Sequence, residues 1–174
     1  LSVLTITMSK EIFNKGSWGY GLMDGMYGFG ALISTIVVAI ITKKFGRRKS
    51  LIWCYSIAGL CCFISPFSPT IYIAGIAYLF MGLHNNSARI IVRTLFMEII
   101  PNNIMGRVQT IFGVYTRVMM LTSVLIAGWV TENLNPHIGM NFASVHYLIA
   151  LIGIIVISKI SNFRKEIFKV KNHA

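Results

Sequence analysis

Ionisable and amide side chains lie inside stretches of this chain that are otherwise apolar, and they are its candidates for chemistry. These residues are Asp24, His84, Asn85, Asn86, Arg89 and Arg117. On a helix, four neighbouring positions at i, i+4, i+7 and i+11 fall on one stripe, namely Gly82, Asn86, Arg89 and Arg93. A charged stripe inside a membrane faces another helix or a water-filled cavity, because an unpaired charge is costly in hydrocarbon. We therefore predict a polar cavity lined by these side chains.

Three of these side chains also have a simpler interpretation. Arg93 lies near a predicted helix end, from which a long side chain can reach the lipid headgroups. His84 could form a hydrogen bond between helices or take part in a proton relay. Asp24 could exchange a proton, pair with a cavity arginine, or lie in water at the outer mouth of the cavity. The sequence leaves these alternatives open.

The same residue types do not combine into a catalytic or metal-binding site. No nucleophile, base and orienting group can be assembled from the predicted spans, so we predict no enzyme and no catalytic residue. Cys54, Cys61 and Cys62 share one apolar run and lack the spacing of a metal site. We expect buried free thiols, with neither a metal nor a cofactor.

The composition requires a membrane to position these residues. Hydrophobic residues make up 55% of the 174, charged residues only 12%, and the mean hydropathy is +0.70. A soluble domain of this size could not give such a chain a hydrated surface. The net charge of +11 comes mostly from the predicted span ends and the tail, where it would oppose anionic headgroups. We predict an all-α integral membrane protein that contacts membrane lipid and binds no nucleic acid.

Five complete transmembrane helices are predicted by runs long enough to cross hydrocarbon. They lie at about 18–42, 50–66, 71–97, 108–130 and 145–160, and residues 1–8 are interpreted as the end of a truncated earlier helix. Together they form one domain, 1–160, followed by a basic tail, 161–174. Loops rich in lysine and arginine remain in the cytoplasm, which places the loop after the first complete span, and the C-terminus, on that side.

Two loops of the chain resemble those of the major facilitator superfamily. The stretch AIITKKFGRRKS resembles the second copy of its signature loop, with Gly46, Arg47 and Arg48 in place, but with Lys43 where an acid is usual. The stretch EIIPNNIMGRVQTIFGVY is similar to the connection between the tenth and eleventh helices of its drug and siderophore exporter branch. The residues in register in that gate loop are Pro101, Gly106 and Arg107. That branch includes macrolide-efflux and enterobactin-exporter proteins.

The resemblance implies the C-terminal six-helix half of a twelve-helix transporter, with the N-terminal half and most of the seventh helix outside this sequence. It further implies a multi-pass protein of the bacterial plasma (inner) membrane that exports a small organic molecule, such as a drug, a macrolide or a siderophore. Such proteins work by alternating access, usually driven by protons. The alternative is a non-transporting, truncated membrane protein or scaffold whose polar stripe only packs helices together.

Overall fold

The computed structural model of the protein describes residues 2–133 and 136–159, and within them it contains helices and no strands. A short helix, α1 (Ser2–Thr7), continues directly into a π-helical turn at Met8–Ile12. The long helices are α2 (Gly16–Phe45), α3 (Arg47–Ile64), α4 (Ile71–Ile99), α5 (Asn102–Asn133) and α6 (Pro136–Lys159). The all-α prediction is confirmed. The predicted tail 161–174 lies outside the described residues.

The helix boundaries follow from local chemistry. Gly46 separates α2 from α3 with a φ of 77°, a conformation that favours glycine, and its N–H donates to the Thr42 carbonyl. Ser65–Phe67 forms a 3-10 turn around Pro66 that ends α3. The Thr70 hydroxyl accepts from the backbone N–H of Ile73 and caps the start of α4. Proline is tolerated at a first helical position, and α6 accordingly begins at residue 136, well before the predicted residue 145.

Four segments of the described chain are long and apolar enough to cross a membrane. They are Gly16–Phe45, Arg47–Phe67, Asn102–Asn133 and His137–Ile157. The protein is therefore a multi-pass membrane protein. Helix α4 has 29 residues, which is also sufficient length, but polar residues from His84 to Arg89 interrupt its apolar sequence. Its membrane crossing, and hence the count of five complete spans, stays a prediction.

Helix α4 lies between α2 and α3 in the described bundle. Helix α2 packs along one side of it, α3 packs against its opposite side, α6 packs on α3, and α5 packs mainly on α6. Two clusters of buried apolar side chains hold these layers together. One surrounds Tyr78 and Met81 near the start of α4, and the other surrounds Ile91 and Leu95 near its end.

Two glycines bring the backbones of α2 and α4 into direct contact. A Cβ at Gly30 would overlap the carbonyl oxygen of Leu79, and a Cβ at Gly82 would overlap the carbonyl oxygen of Tyr27. Small residues at a helix crossing permit this close approach, which replaces side-chain packing with backbone contact. The crossing fixes how far α2 and α4 are shifted relative to each other along their axes. The polar residues Tyr27 and Asn85 therefore lie level with each other.

Candidate functional site

A tyrosine and an asparagine meet beside the α2–α4 crossing. The Asn85 Nδ2 of α4 donates a hydrogen bond to the Tyr27 hydroxyl oxygen of α2 over 2.6 Å. Both side chains are half-buried. The Tyr27 hydroxyl proton and the Asn85 Oδ1 have no hydrogen-bond partner among the described residues. The pair therefore presents one unused donor and one unused acceptor.

Two opposite charges flank this pair. Asp24 lies one helical turn before Tyr27, Arg89 lies one turn after Asn85, and both side chains are exposed. Because α2 and α4 run parallel, Asp24 and Arg89 lie beyond opposite ends of the pair, about 10 Å apart along the helix axes. Neither forms an ion pair within the described part of the chain. We call the site formed by Asp24, Tyr27, Asn85 and Arg89 the recess.

Other helices bound the recess at both ends. Tyr78, Asn85 and Phe96 lie on one face of α4, at i, i+7 and i+18. The Tyr78 hydroxyl is 3.0 Å from the Thr5 hydroxyl of α1. The Phe96 ring contacts the Phe112 ring of α5, with centroids 4.9 Å apart. Helix α1 therefore covers this face near the start of α4, and α5 approaches it near the end.

Tyr27 belongs to the site through its hydrogen bond with Asn85 across the two helices. Sequence reasoning missed Tyr27, because a lone tyrosine in an apolar run carries no spacing signal.

Two of the predicted cavity residues point elsewhere. Asn86 Nδ2 donates to the Ala31 carbonyl over 3.1 Å and to the Ser34 hydroxyl over 2.7 Å, so it lies inside the α2–α4 contact. His84 is buried, and its Nδ1 lies 2.8 Å from the Phe80 carbonyl of its own helix. This hydrogen bond of His84 is therefore within α4 and not between helices. Asp24, Asn85 and Arg89 belong to the recess as defined here, and His84 and Asn86 lie outside it. The predicted cavity role of these five residues stays a prediction.

Arg117 is also outside the recess. It is exposed on α5 and lies five residues after Phe112, which turns it about 140° around the helix from the side that meets α4. Gly113 is partly exposed on the same face, and a Cβ added there would meet no neighbouring atom within 4 Å. The cavity role of Arg117 stays a prediction.

The signature loop forms an ion pair that the sequence did not indicate. Arg47 Nη2 donates to Glu98 Oε1 over 2.7 Å, and Nη1 contacts Oε2, which makes the contact bidentate. This hydrogen bond holds the pKa of the Glu98 carboxyl below its ordinary value. The loop carries Lys43 where an acid is usual, and its Arg47 pairs with Glu98 at the end of α4.

The remaining loop residues are placed without a demonstrated role. The Nε atom of Arg48 is buried and has no hydrogen-bond partner among the described residues. Helix α4 ends at Ile99 and α5 begins at Asn102, so Pro101 stands in a two-residue connection. Gly106 and Arg107 are exposed in the opening turns of α5. The gate function of these residues stays a prediction.

The polar site between α2 and α4 lies in a bundle that contains four segments long and apolar enough to cross a membrane. Residues 2–166 match the family model of the Major Facilitator Superfamily. A D-xylose transporter from Levilactobacillus brevis is 27% identical over 122 residues, which cover 70% of this chain and 26% of that protein. The chain thus spans about a quarter of the length of this relative. The chain belongs to the major facilitator superfamily.

Proposed function

We propose that this chain forms the C-terminal half of a secondary active transporter that moves a small organic molecule by alternating access. In this mechanism two six-helix halves rock around a site near the membrane midplane. The observation that carries the proposal is the recess, in which Arg89 and Asp24 stay exposed and unpaired within the described residues. An ionisable side chain within a membrane-spanning helix is by default a candidate for a functional site. A preceding N-terminal half would supply the opposite wall.

The sequence resemblance supports a more specific form of the proposal, a proton-driven exporter of a drug, a macrolide or a siderophore in a bacterial plasma membrane. Asp24 is the candidate for the proton-coupled group, because it is the acid of the recess and its side chain is exposed. Arg89 would attract a polar or anionic part of the substrate. Asn85 would hydrogen-bond the same molecule.

A carbohydrate is the second candidate substrate. The similar protein from Levilactobacillus brevis is described as a D-xylose transporter, and the match covers most of the present chain. The recess is consistent with such a solute because Tyr27 and Asn85 offer neutral hydrogen-bonding groups. The direction of transport would then be uptake or export, as the gradients dictate.

Transport by the full-length carrier tests the proposal. Inverted membrane vesicles energised with a pH gradient would be loaded separately with a cationic dye, a macrolide, a catecholate siderophore and a pentose. We expect the wild type to move one of these classes and to lose that movement when the gradient is collapsed. Absence of transport of every solute would favour the scaffold alternative.

Single variants then separate the two arginines. We expect Arg89→Ala to abolish movement of the transported solute, because it removes the cation of the recess. Arg117→Ala serves as the matched comparison, since it removes an exposed arginine that the structure places away from the recess. Wild-type transport by Arg89→Ala would exclude the recess as the substrate site. Loss of transport in Arg117→Ala would show that α5 contributes a residue to the substrate cavity.

A further inference from the structure

We infer that the Tyr27 hydroxyl and the Asn85 carboxamide form a subsite that binds a hydroxyl group of a neutral, polyhydroxylated solute. The inference rests on the proposed transport function and adds to it a substrate class and a specificity-determining residue, Tyr27. The basis is the 2.6 Å hydrogen bond between the two side chains and the polar atoms that this bond leaves unused.

The unused atoms match a hydroxyl group in number and kind. The Tyr27 oxygen accepts from Asn85, so its own proton remains available for donation, and Asn85 Oδ1 remains available as an acceptor. A solute hydroxyl both accepts and donates, and it can satisfy both groups at once. A hydrophobic cation offers neither function in its apolar part. It would leave the half-buried pair unsatisfied, which is costly in a site of low dielectric constant.

The charges around the pair favour a neutral solute over an ion. Asp24 and Arg89 contribute formal charges of opposite sign beyond the two ends of the pair, so the recess has no net charge from these groups. The two charged residues lie about 10 Å apart along the helix axes, on either side of the pair. Each charged group can also bind hydroxyls, the carboxylate as an acceptor and the guanidinium as a donor. A molecule with several hydroxyl groups can therefore engage the whole recess.

The neighbouring asparagine supplies side-chain hydrogen bonds within the α2–α4 contact itself. The Asn86 amide donates hydrogen bonds to Ala31 and Ser34 inside the α2–α4 contact. The glycines Gly30 and Gly82 already bring the two backbones together at this height. Tyr27 and Asn85 lie beside that contact and remain half exposed, with bonding capacity that the described helices do not use.

Binding to the full-length carrier in detergent tests this subsite. The probes are a panel of pentoses and hexoses, each measured beside its monodeoxy derivatives by equilibrium binding. We expect Tyr27→Phe to bind the best-bound sugar roughly 3- to 10-fold more weakly, the factor for one neutral hydrogen bond. The variant should also cease to distinguish that sugar from one particular deoxy derivative, because the protein group that recognised the missing hydroxyl is gone. Tyr72→Phe is the control, since it removes an exposed hydroxyl elsewhere on α4.

Each outcome decides the inference. Loss of discrimination in Tyr27→Phe with full discrimination in Tyr72→Phe supports it. Unchanged sugar affinity in Tyr27→Phe overturns it, as does a wild type that transports a dye, macrolide or siderophore and binds no sugar. In the latter case the transport function stands and only the substrate class is wrong, whereas a wild type that moves no solute refutes the transport function itself. If Tyr27→Phe does not fold, Asn85→Ser is measured against the same expectations.

Discussion

Asn85 and Asn86 are neighbours in the chain, yet they have different environments because each helical residue turns the chain by about 100°. Asn86 points at α2 and bonds to Ala31 and Ser34. Asn85 points to the side of the crossing and bonds to the Tyr27 hydroxyl alone. The carboxamide of Asn86 thus joins two helices, whereas the carboxamide of Asn85 lines the recess.

Replacement of Asn86 should cost stability. Asn86→Ala removes two hydrogen bonds across the α2–α4 contact, and we expect a loss of about 0.6 to 1.7 kcal/mol in the free energy of unfolding. Reversible unfolding in detergent, followed by tryptophan fluorescence, measures the change. Asn103→Ala is the control, because Asn103 is exposed near the start of α5. Equal stability of Asn86→Ala and the wild type would contradict the structural role.

The Arg47–Glu98 pair should stabilise the protein in a pH-dependent way. The pKa of Glu98 is lowered in the folded state from its ordinary value of 4.5, chiefly by the hydrogen bond from Arg47. Its contribution is therefore present above that value and is lost as the pH falls through the lowered pKa. Since both side chains are partly exposed, we expect only about 0.2 to 1 kcal/mol between wild type and Glu98→Gln at pH 7.

Measuring unfolding of both proteins from pH 7 down to pH 3 checks this expectation. The stability difference should shrink on acidification and also at high salt, which screens exposed charges. Arg47→Gln should reproduce the pH 7 value, because it removes the same pair from the other side. A difference that is constant across the pH range would show that Glu98 acts through packing and not through its charge.

At the scale of the helix, the polar stripe of α4 shows what a sequence can and cannot predict. Periodicity placed Asn86 and Arg89 on one side of a helix, and the helix exists. It could not predict which neighbour that side meets, because the choice depends on the backbone contact at Gly30 and Gly82. Asn86 consequently lies in that contact, and Arg89 lies beside it.

The long-range pairs of the site were beyond sequence reasoning for the same physical reason. Tyr27 and Asn85 are 58 residues apart, and Arg47 and Glu98 are 51 apart. No local spacing rule relates residues at such separations, since only the packing angle and height of two helices bring them together. Membership of the major facilitator superfamily, by contrast, followed from loop motifs and is confirmed by the family match.

The contact between α2 and α4 should be sensitive to a single methyl group. Gly82→Ala places a Cβ against the Tyr27 carbonyl, so the helices must separate or strain, and we expect a loss of about 1 to 3 kcal/mol. Gly25→Ala is the matched control, because a Cβ there meets open space on α2 and should leave stability equal or slightly higher. Thermal unfolding in detergent compares the two variants, and equal melting temperatures would contradict the close approach.

At the scale of the whole molecule, α5 is the least enclosed of the described helices. Ala127 is its buried residue, and its contacts with α6 include Ser123 Oγ at 2.9 Å from His146 Nε2. Apolar side chains such as Ile111 and Leu125 remain more than two-thirds exposed, at 71% and 72%. Such a surface is stable in contact with lipid or with further helices, as the proposed second half would provide. The recess correspondingly lacks a far wall within the described residues.

The predicted orientation of the bundle gives the last test. Basic residues concentrate where α2 ends and where α5 begins, at Lys44 and Arg107, and the positive-inside rule assigns those ends to the cytoplasm. The loop around Pro69 and the end of α5 at Glu132 would then lie outside. Single cysteines introduced at these four positions, in a background with Cys54, Cys61 and Cys62 replaced by alanine, report the side through a membrane-impermeant maleimide.

We expect cysteines at 69 and 132 to react in intact cells, and those at 44 and 107 to react only in inverted vesicles. Positions 69 and 107 also test α4, because they stand on opposite sides of the membrane only if α4 crosses it. Labelling of both from the same side would show that α4 does not span. Its polar residues would then lie in water at the surface, and the recess between α2 and α4 would not be a membrane site.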